Sequence, residues 1–117
     1  FAFKYFKKAG LENTIEQKIG LAIEIIPTLK DTFDLVFIDA DKREYVEYFK
    51  LIFDKIPSGA YLIADNTLWG GKVLKKPAAD DQQTKGIIDF NTFIKKNKSV
   101  EKVILPLRDG MTVIRKK

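Results

Sequence analysis

Apolar residues recur along the chain in two rhythms: stripes at helical spacing, and short continuous runs rich in β-branched and aromatic side chains. Residues 1–9 place Phe3, Tyr5, Phe6 and Ala9 on one side and are stopped by Gly10, which predicts the tail of a helix. A short strand is expected over residues 15–19, followed by a helix over 22–29. Residues 33–38 are nearly all apolar, the pattern of a strand buried on both faces of a parallel sheet. Residues 44–56 carry Tyr45, Tyr48, Phe49, Ile52, Phe53 and Ile56 as a helical stripe, broken by Pro57-Ser58-Gly59. A second buried strand is expected over 60–64, ending at Asp65-Asn66. Residues 69–81 then form a long polar connection, of the length that tends to serve function. Ile87, Ile88, Phe90, Phe93 and Ile94 predict a helix over 84–96. Strands over 100–105 and 111–115 flank the turn Arg108-Asp109-Gly110, so the chain closes on an antiparallel hairpin. With no linker, repeat or low-complexity stretch, the pattern predicts one α/β domain over residues 1–117, parallel strands first and antiparallel strands last.

Composition narrows the chemistry. The 117 residues contain no cysteine and no histidine, which excludes disulfide scaffolds, Cys/His zinc sites, thiol nucleophiles and Ser-His-Asp hydrolases. Proton transfer must fall to Lys, Asp, Glu or Tyr. The net charge of +5 is spread over Lys7-Lys8, Lys75-Lys76, Lys95-Lys96 and the Arg115-Lys116-Lys117 end, interleaved with acids. That is the pattern of a solvated surface, and no nucleic-acid partner is expected. No apolar run approaches the roughly 20 residues that span a bilayer, and no signal-peptide layout opens the chain. A cytoplasmic protein without membrane contact is the expectation. The chain opens at Phe1-Ala2-Phe3 without an initiator Met, as expected of a piece cut from something longer.

Two strand ends carry the acids: Ile38 runs into Asp39-Ala40-Asp41-Lys42, and Ala64 into Asp65-Asn66. In open α/β sheets ligands collect at the carboxyl ends of strands, which places both clusters on one rim. Three carboxylates and an amide oxygen are hard donors, suited to Mg²⁺ or Ca²⁺ and not to zinc. Lys42 beside them is an acid/base candidate, since desolvation or a nearby cation lowers a lysine's pKa. Plainer roles compete. Asp41 alone reads as a helix cap, and Asp65-Asn66 as an ordinary turn. Trp69, in a Gly-rich connection without an apolar stripe, reads as a substrate-facing wall more than as core, whereas Tyr45 reads as packing. Gly70-Gly71 lacks the spacing of a nucleotide fingerprint.

The run from Phe33 through Asp39-Ala40-Asp41-Lys42 to Tyr45, followed by Asp65-Asn66-Thr67-Leu68-Trp69-Gly70-Gly71-Lys72-Val73, closely resembles the cation-dependent O-methyltransferases of the caffeoyl-CoA and catechol type. The resemblance extends to Ala9-Gly10-Leu11, to Gly20-Leu21-Ala22 with Pro27, and to Leu105-Pro106-Leu107-Arg108-Asp109-Gly110-Met111. It implies a Rossmann-like methyltransferase sheet, incomplete here, and S-adenosylmethionine as methyl donor. By the same resemblance Asp39, Asp65 and Asn66 hold a divalent cation, Mg²⁺ or else Ca²⁺ or Mn²⁺, that chelates two vicinal oxygens of a catechol-like acceptor. Lys42 matches the lysine that deprotonates the attacking hydroxyl, Leu21, Ala22 and Asp39 match positions near the methyl donor, and Trp69 matches an aromatic near the acceptor. Relatives are often homodimers. The family's glycine-rich loop and its ribose-binding acid fall before Phe1, and Leu21 stands where a polar residue is common. In the family's strand order, residues 15–19 lie beyond two strands that also fall before Phe1, so residues 33–38 would present an open edge.

Two rival readings differ in class. A nucleotide-sugar glycosyltransferase would use Asp39-Ala40-Asp41 to hold Mn²⁺ and a diphosphate, but leaves Asp65-Asn66 and Trp69-Gly70-Gly71 unexplained. A non-catalytic interaction module would use residues 95–102 or the basic end against an acidic partner, with binding that collapses in salt. A phosphohydrolase with an Asp nucleophile expects Thr or Val soon after the second Asp, where this chain has Lys42-Arg43.

Overall fold

The structure, a computed structural model, describes residues 1–117. Helix α1 (Ala2–Lys8) ends where Gly10 takes a positive φ of 68°, and a loop leads to α2 (Ala22–Thr28). Strand β1 (Leu35–Ile38) is followed by a 3-10 turn at Lys42–Glu44 that runs into α3 (Tyr45–Phe53). Strand β2 (Tyr61–Asp65) leads through a 3-10 segment at Trp69–Leu74 to α4 (Gln82–Lys96), and β3 (Val100–Leu105) and β4 (Met111–Lys116) close the chain. The sheet order is β1-β2-β4-β3, with β1 and β2 parallel and β4 antiparallel to both its neighbours. This is the mixed α/β sheet that the pattern predicts.

The register sorts the two faces of the sheet. Val36 pairs with Leu62 and Leu62 with Ile114, while Ile38 pairs with Ala64 and Ala64 with Thr112. Ile38, Leu62, Ala64, Thr112 and Ile114 are buried in the same core as Tyr45, Phe49, Ile87 and Phe90 of α3 and α4. Edge-on aromatic contacts join the two helices and their common core, Tyr45 to Phe90 and Phe49 to Phe93, each with ring centroids 5.4 Å apart. Tyr45, Phe49 and Phe90 are buried, each contributing roughly 1.5–3 kcal/mol relative to exposure, while Phe93 is partly buried against them.

Two expectations fail. Residues 15–19 are irregular, because no neighbouring strand offers them a hydrogen-bonding edge, and Ile19 lies in the open. Strand β1 is not buried on both faces: Leu35 is 59% and Phe37 55% exposed, and only Ile38 is buried. The reason is position. Ile38 projects into the core shared with α3 and α4, whereas Leu35 and Phe37 project to the opposite face; separately, β1 has β2 on one side and no strand on the other, the open edge anticipated from the strand order. That face continues through Tyr61 and Val103, both exposed.

Boundaries differ by small amounts with clear causes. Helix α4 starts two residues before the expected position because Asp81 caps it, its carboxylate accepting from the Thr84 N–H at 3.0 Å. No helix is long and apolar enough to cross a membrane.

Candidate active site

The parallel pairing of Ile38 with Ala64 brings β1 and β2 to their carboxyl ends at the same level. Asp39 and Asp65 therefore leave neighbouring strands side by side, about 4.8 Å apart in the pairing direction. Asn66 follows with a positive φ of 61°, a conformation that Asn tolerates better than most residues. The Asp65 carboxylate accepts from the Asn66 N–H at 2.7 Å, so this segment is a turn as well as a rim.

Tyr45 closes the rim from below. Its ring is fully buried, and its hydroxyl lies 3.0 Å from the Asp65 carbonyl oxygen and 3.3 Å from that of Ile38, tying the two strand ends together. The same hydroxyl accepts a hydrogen bond from Lys42 Nζ. Lys42 is only 5% exposed, and its ammonium also donates to Asp39 Oδ1 at 3.1 Å and lies 5.9 Å from the Trp69 ring centroid. Burial alone would push the Lys42 ammonium down; the hydrogen bonds to Tyr45 and Asp39 oppose it and the net direction is up. The expected lowering is therefore absent in this state, because the same rim that desolvates Lys42 supplies it with two acceptors. Burial pushes the Tyr45 phenol up, against the opposing pull of Lys42, so it serves as a neutral hydrogen-bonding group.

Asp41 stands apart from the set. Its carboxylate accepts from the Arg43 N–H at 3.0 Å, pairs with the Arg43 guanidinium, and takes a bond from Gln83 Nε2 at 3.1 Å. The Arg43 contacts above all hold its pKa far below the usual carboxylate range. Asp41 is the cap it reads as in the sequence. The three-carboxylate cluster does not form: nowhere in the chain are three or more His, Cys, Asp or Glu side chains gathered in a way that could hold a metal. Two carboxylates and an amide remain at the rim, from Asp39, Asp65 and Asn66.

Beside the rim, a hollow of about 170 Å³ runs between α2 and β1, and Ala22, Ile26, Ile38, Asp39 and Tyr48 are among its lining residues. Ala22 and Asp39 thus share one cavity. Leu21 does not line it and is 60% exposed at the start of α2. Trp69 is half-buried against the core, so it is both wall and packing, and its indole N–H is buried without a partner.

Three residues of the site escape a reading by pattern. Tyr45 reads as packing, although its spacing of three from Lys42 on a helical turn already puts the two on one face. Gln83 and Gly86 of α4 clasp the Lys42 turn from 41 residues or more away, and nothing local signals them.

The family model described as O-methyltransferase matches residues 1–117. The chain is 37% identical to a probable caffeoyl-CoA O-methyltransferase 2 of Dictyostelium discoideum over 98% of its length and 52% of that protein. It is 35% identical to tricin synthase 2 of Oryza sativa subsp. japonica over 94% of its length and 41% of that protein. Among solved structures, an O-methyltransferase of Streptomyces achromogenes in complex with S-adenosylmethionine superposes with a TM-score of 0.89 at 28% identity, covering 99% of this chain and 56% of that one. One from Bacillus cereus, in complex with SAH, gives 0.90 at 26%, with the same coverage. The chain thus spans about half the length of the relatives it matches. Neither the glycosyltransferase nor the interaction-module reading is favoured. Sequence, sheet order and the acids and lysine at the strand ends agree, and the chain belongs to the O-methyltransferase family.

Proposed function

We propose that this rim serves transfer of a methyl group from S-adenosylmethionine to a hydroxyl oxygen of a small catechol-like aromatic, with a divalent cation at Asp39, Asp65 and Asn66. The observation that carries the reading is Lys42: a buried ammonium held by Tyr45 and Asp39 at the meeting of two parallel strand ends, with a tryptophan ring nearby. Names of the curated relatives and the S-adenosylmethionine complex of the Streptomyces protein support it.

The donor set fits a cation of the Mg²⁺ kind. Two carboxylates and an amide oxygen are hard ligands, and Mg²⁺ is held by one or two carboxylates while keeping several waters, so a third acid is not required. When bound, the ion would lower the pKa of a coordinated hydroxyl and orient the acceptor's oxygens. The hollow at Ala22 and Asp39 fits part of the methyl donor only, since about 170 Å³ is below the roughly 300 Å³ at which small-molecule pockets begin.

The chain's own groups do the remaining work. Lys42 faces the rim as a charged donor, suited to stabilise an acceptor oxygen as it loses its proton. To take that proton itself, Lys42 must first be neutral, and release of the Asp39 contact removes one of the two groups that keep it charged. With the methyl donor bound, a neutral Lys42 Nζ would take the O–H proton as the acceptor oxygen attacks the methyl carbon, the sulfur leaving with the electron pair of the carbon–sulfur bond. Tyr45 fixes Nζ and both strand ends in one frame, which supplies the proximity such a transfer needs. Self-association as a homodimer belongs to the same reading, and sedimentation of the chain tests it.

Calorimetric titration of the chain with Mg²⁺ and with S-adenosylmethionine tests the proposal. Heat on addition of Mg²⁺ that Asp65→Ala removes is the expected result. Absence of any response to either, together with salt-sensitive binding to a polyanion, would return the interaction-module reading.

A further inference from the structure

The hairpin tip between β3 and β4 has no task in the reaction described above, yet it is bonded to the loop that carries Trp69. The Thr67 N–H donates to the Gly110 carbonyl at 3.0 Å and the Leu68 N–H to the Asp109 carbonyl at 2.9 Å. The Gly70 N–H donates to the carboxylate oxygen Oδ1 of Asp109, 39 residues away. Gly110, at φ +79°, lies flush on Leu68: a Cβ there would sit 2.4 Å from Leu68 Cγ.

Trp69 stands between the two anchored residues Leu68 and Gly70. Its backbone takes a φ of +48°, uncommon for a bulky side chain, and such a conformation persists only where its surroundings over-determine it. The bonds on either side, at Leu68 and Gly70, do this. Gly70 and Gly71 continue the left-handed path at φ +58° and +76°, a kink inside the 3-10 segment, where the local backbone bonds include Trp69 N–H to the Asn66 carbonyl at 3.2 Å and Gly71 N–H to the Leu68 carbonyl at 2.9 Å. The ring that results from this path is the one 5.9 Å from Lys42 Nζ.

We propose that Asp109 is a positioning residue: its carboxylate pins the Gly70 N–H, holds the Trp69 ring beside Lys42, and so makes the hairpin tip a determinant of which flat aromatic the rim admits. The aromatic acceptor rests on the function proposed above; the pinning rests on the contacts alone.

Trp69 is the only tryptophan, so its emission reads the ring's surroundings directly. In the intact chain, Asp109→Ala is expected to shift that emission to longer wavelength and to raise its quenching by acrylamide severalfold. Asp109→Asn, which keeps an acceptor oxygen in place, stays close to the unaltered chain, and Asp109→Ser gives the same readout as alanine where the alanine variant does not fold. A loss of general stability would lower the melting temperature without moving the emission of the folded chain. Unchanged emission and quenching in natively folded Asp109→Ala or Asp109→Ser overturn the proposal. Catechol added to the unaltered chain is a separate arm: quenching of Trp69 that weakens severalfold in Asp109→Ala supports the role in admission, whereas no quenching in the unaltered chain counts against the aromatic acceptor and leaves the acrylamide result to decide on the pinning.

Discussion

Gly86 of α4 lies so close to Lys42 that a methyl group on it would sit 2.3 Å from the Lys42 carbonyl oxygen and 2.7 Å from Arg43 Cα. One turn earlier on the same helix, the Gln83 amide accepts from the Lys42 N–H at 3.0 Å and donates to Asp41 at 3.1 Å. Helix α4 thus grips the turn that presents the lysine, with a side chain at one point and bare backbone at the next. The obstacle at Gly86 is backbone, which cannot swing aside as a flexible side chain would. Gly86→Ala is expected to destabilise the fold by about 1–3 kcal/mol, the range for overpacking, although alanine is the better helix former. Denaturant unfolding measures it; an unchanged or raised midpoint would show that α4 can move off the turn without penalty.

Thr67 and Thr112 form a second polar contact inside the core, their hydroxyl oxygens 2.8 Å apart and both residues buried. Thr112→Val alone, or Thr67→Val alone, leaves one hydroxyl without its partner and is expected to cost about 1–3 kcal/mol. The double variant removes donor and acceptor together and should recover most of that loss. Non-additivity in a double-mutant cycle is the check, and simple addition of the two single effects would mean the pair is not coupled.

Acid stability should carry the signature of Asp81. The Thr84 hydroxyl and N–H hold its carboxyl below the ordinary carboxylate value. A group with a depressed folded pKa contributes stability that is full above its unfolded pKa and lost as pH falls through the folded one. Asp81→Asn keeps a capping oxygen but cannot titrate, so the advantage of the unaltered chain is expected to be present at neutral pH and to shrink as the solution is acidified through the carboxylate range. Melting temperatures of both chains across that range decide it; a constant difference would place the effect elsewhere.

Much of this was open to a reader of the sequence because it is local. Helical stripes gave α3 and α4, continuous apolar runs gave β1 and β2, and the acids that follow Ile38 and Ala64 marked the rim, since strand ends and their chemistry are written in consecutive residues. What the pattern could not supply is pairing across distance. Residues 15–19 have a strand's composition, but a strand needs an edge to join. Leu35 and Phe37 look buried until the fold shows that one face of β1 is bare. Tyr45 fits the helical stripe so well that its hydroxyl goes unnoticed, and only the fold reveals that it ends between two strand carbonyls and a lysine. The direction of the Lys42 shift likewise depends on two acceptors whose nearness is a three-dimensional fact.

The sheet order carries a consequence for how the chain comes to be folded. Strand β4, the last in this chain, is laid between β2 and β3, so the first strand pair acquires its antiparallel neighbour only when residues 111–116 have left the ribosome. Until then β2 has one open edge, Thr67 has no Thr112, and the loop that carries Trp69 has no Asp109 to hold it. Pairings of such long sequence separation slow a chain's folding. Assembly of the rim is therefore expected to be a late and single event, in which the sheet, the buried hydroxyl pair and the tryptophan loop are completed together.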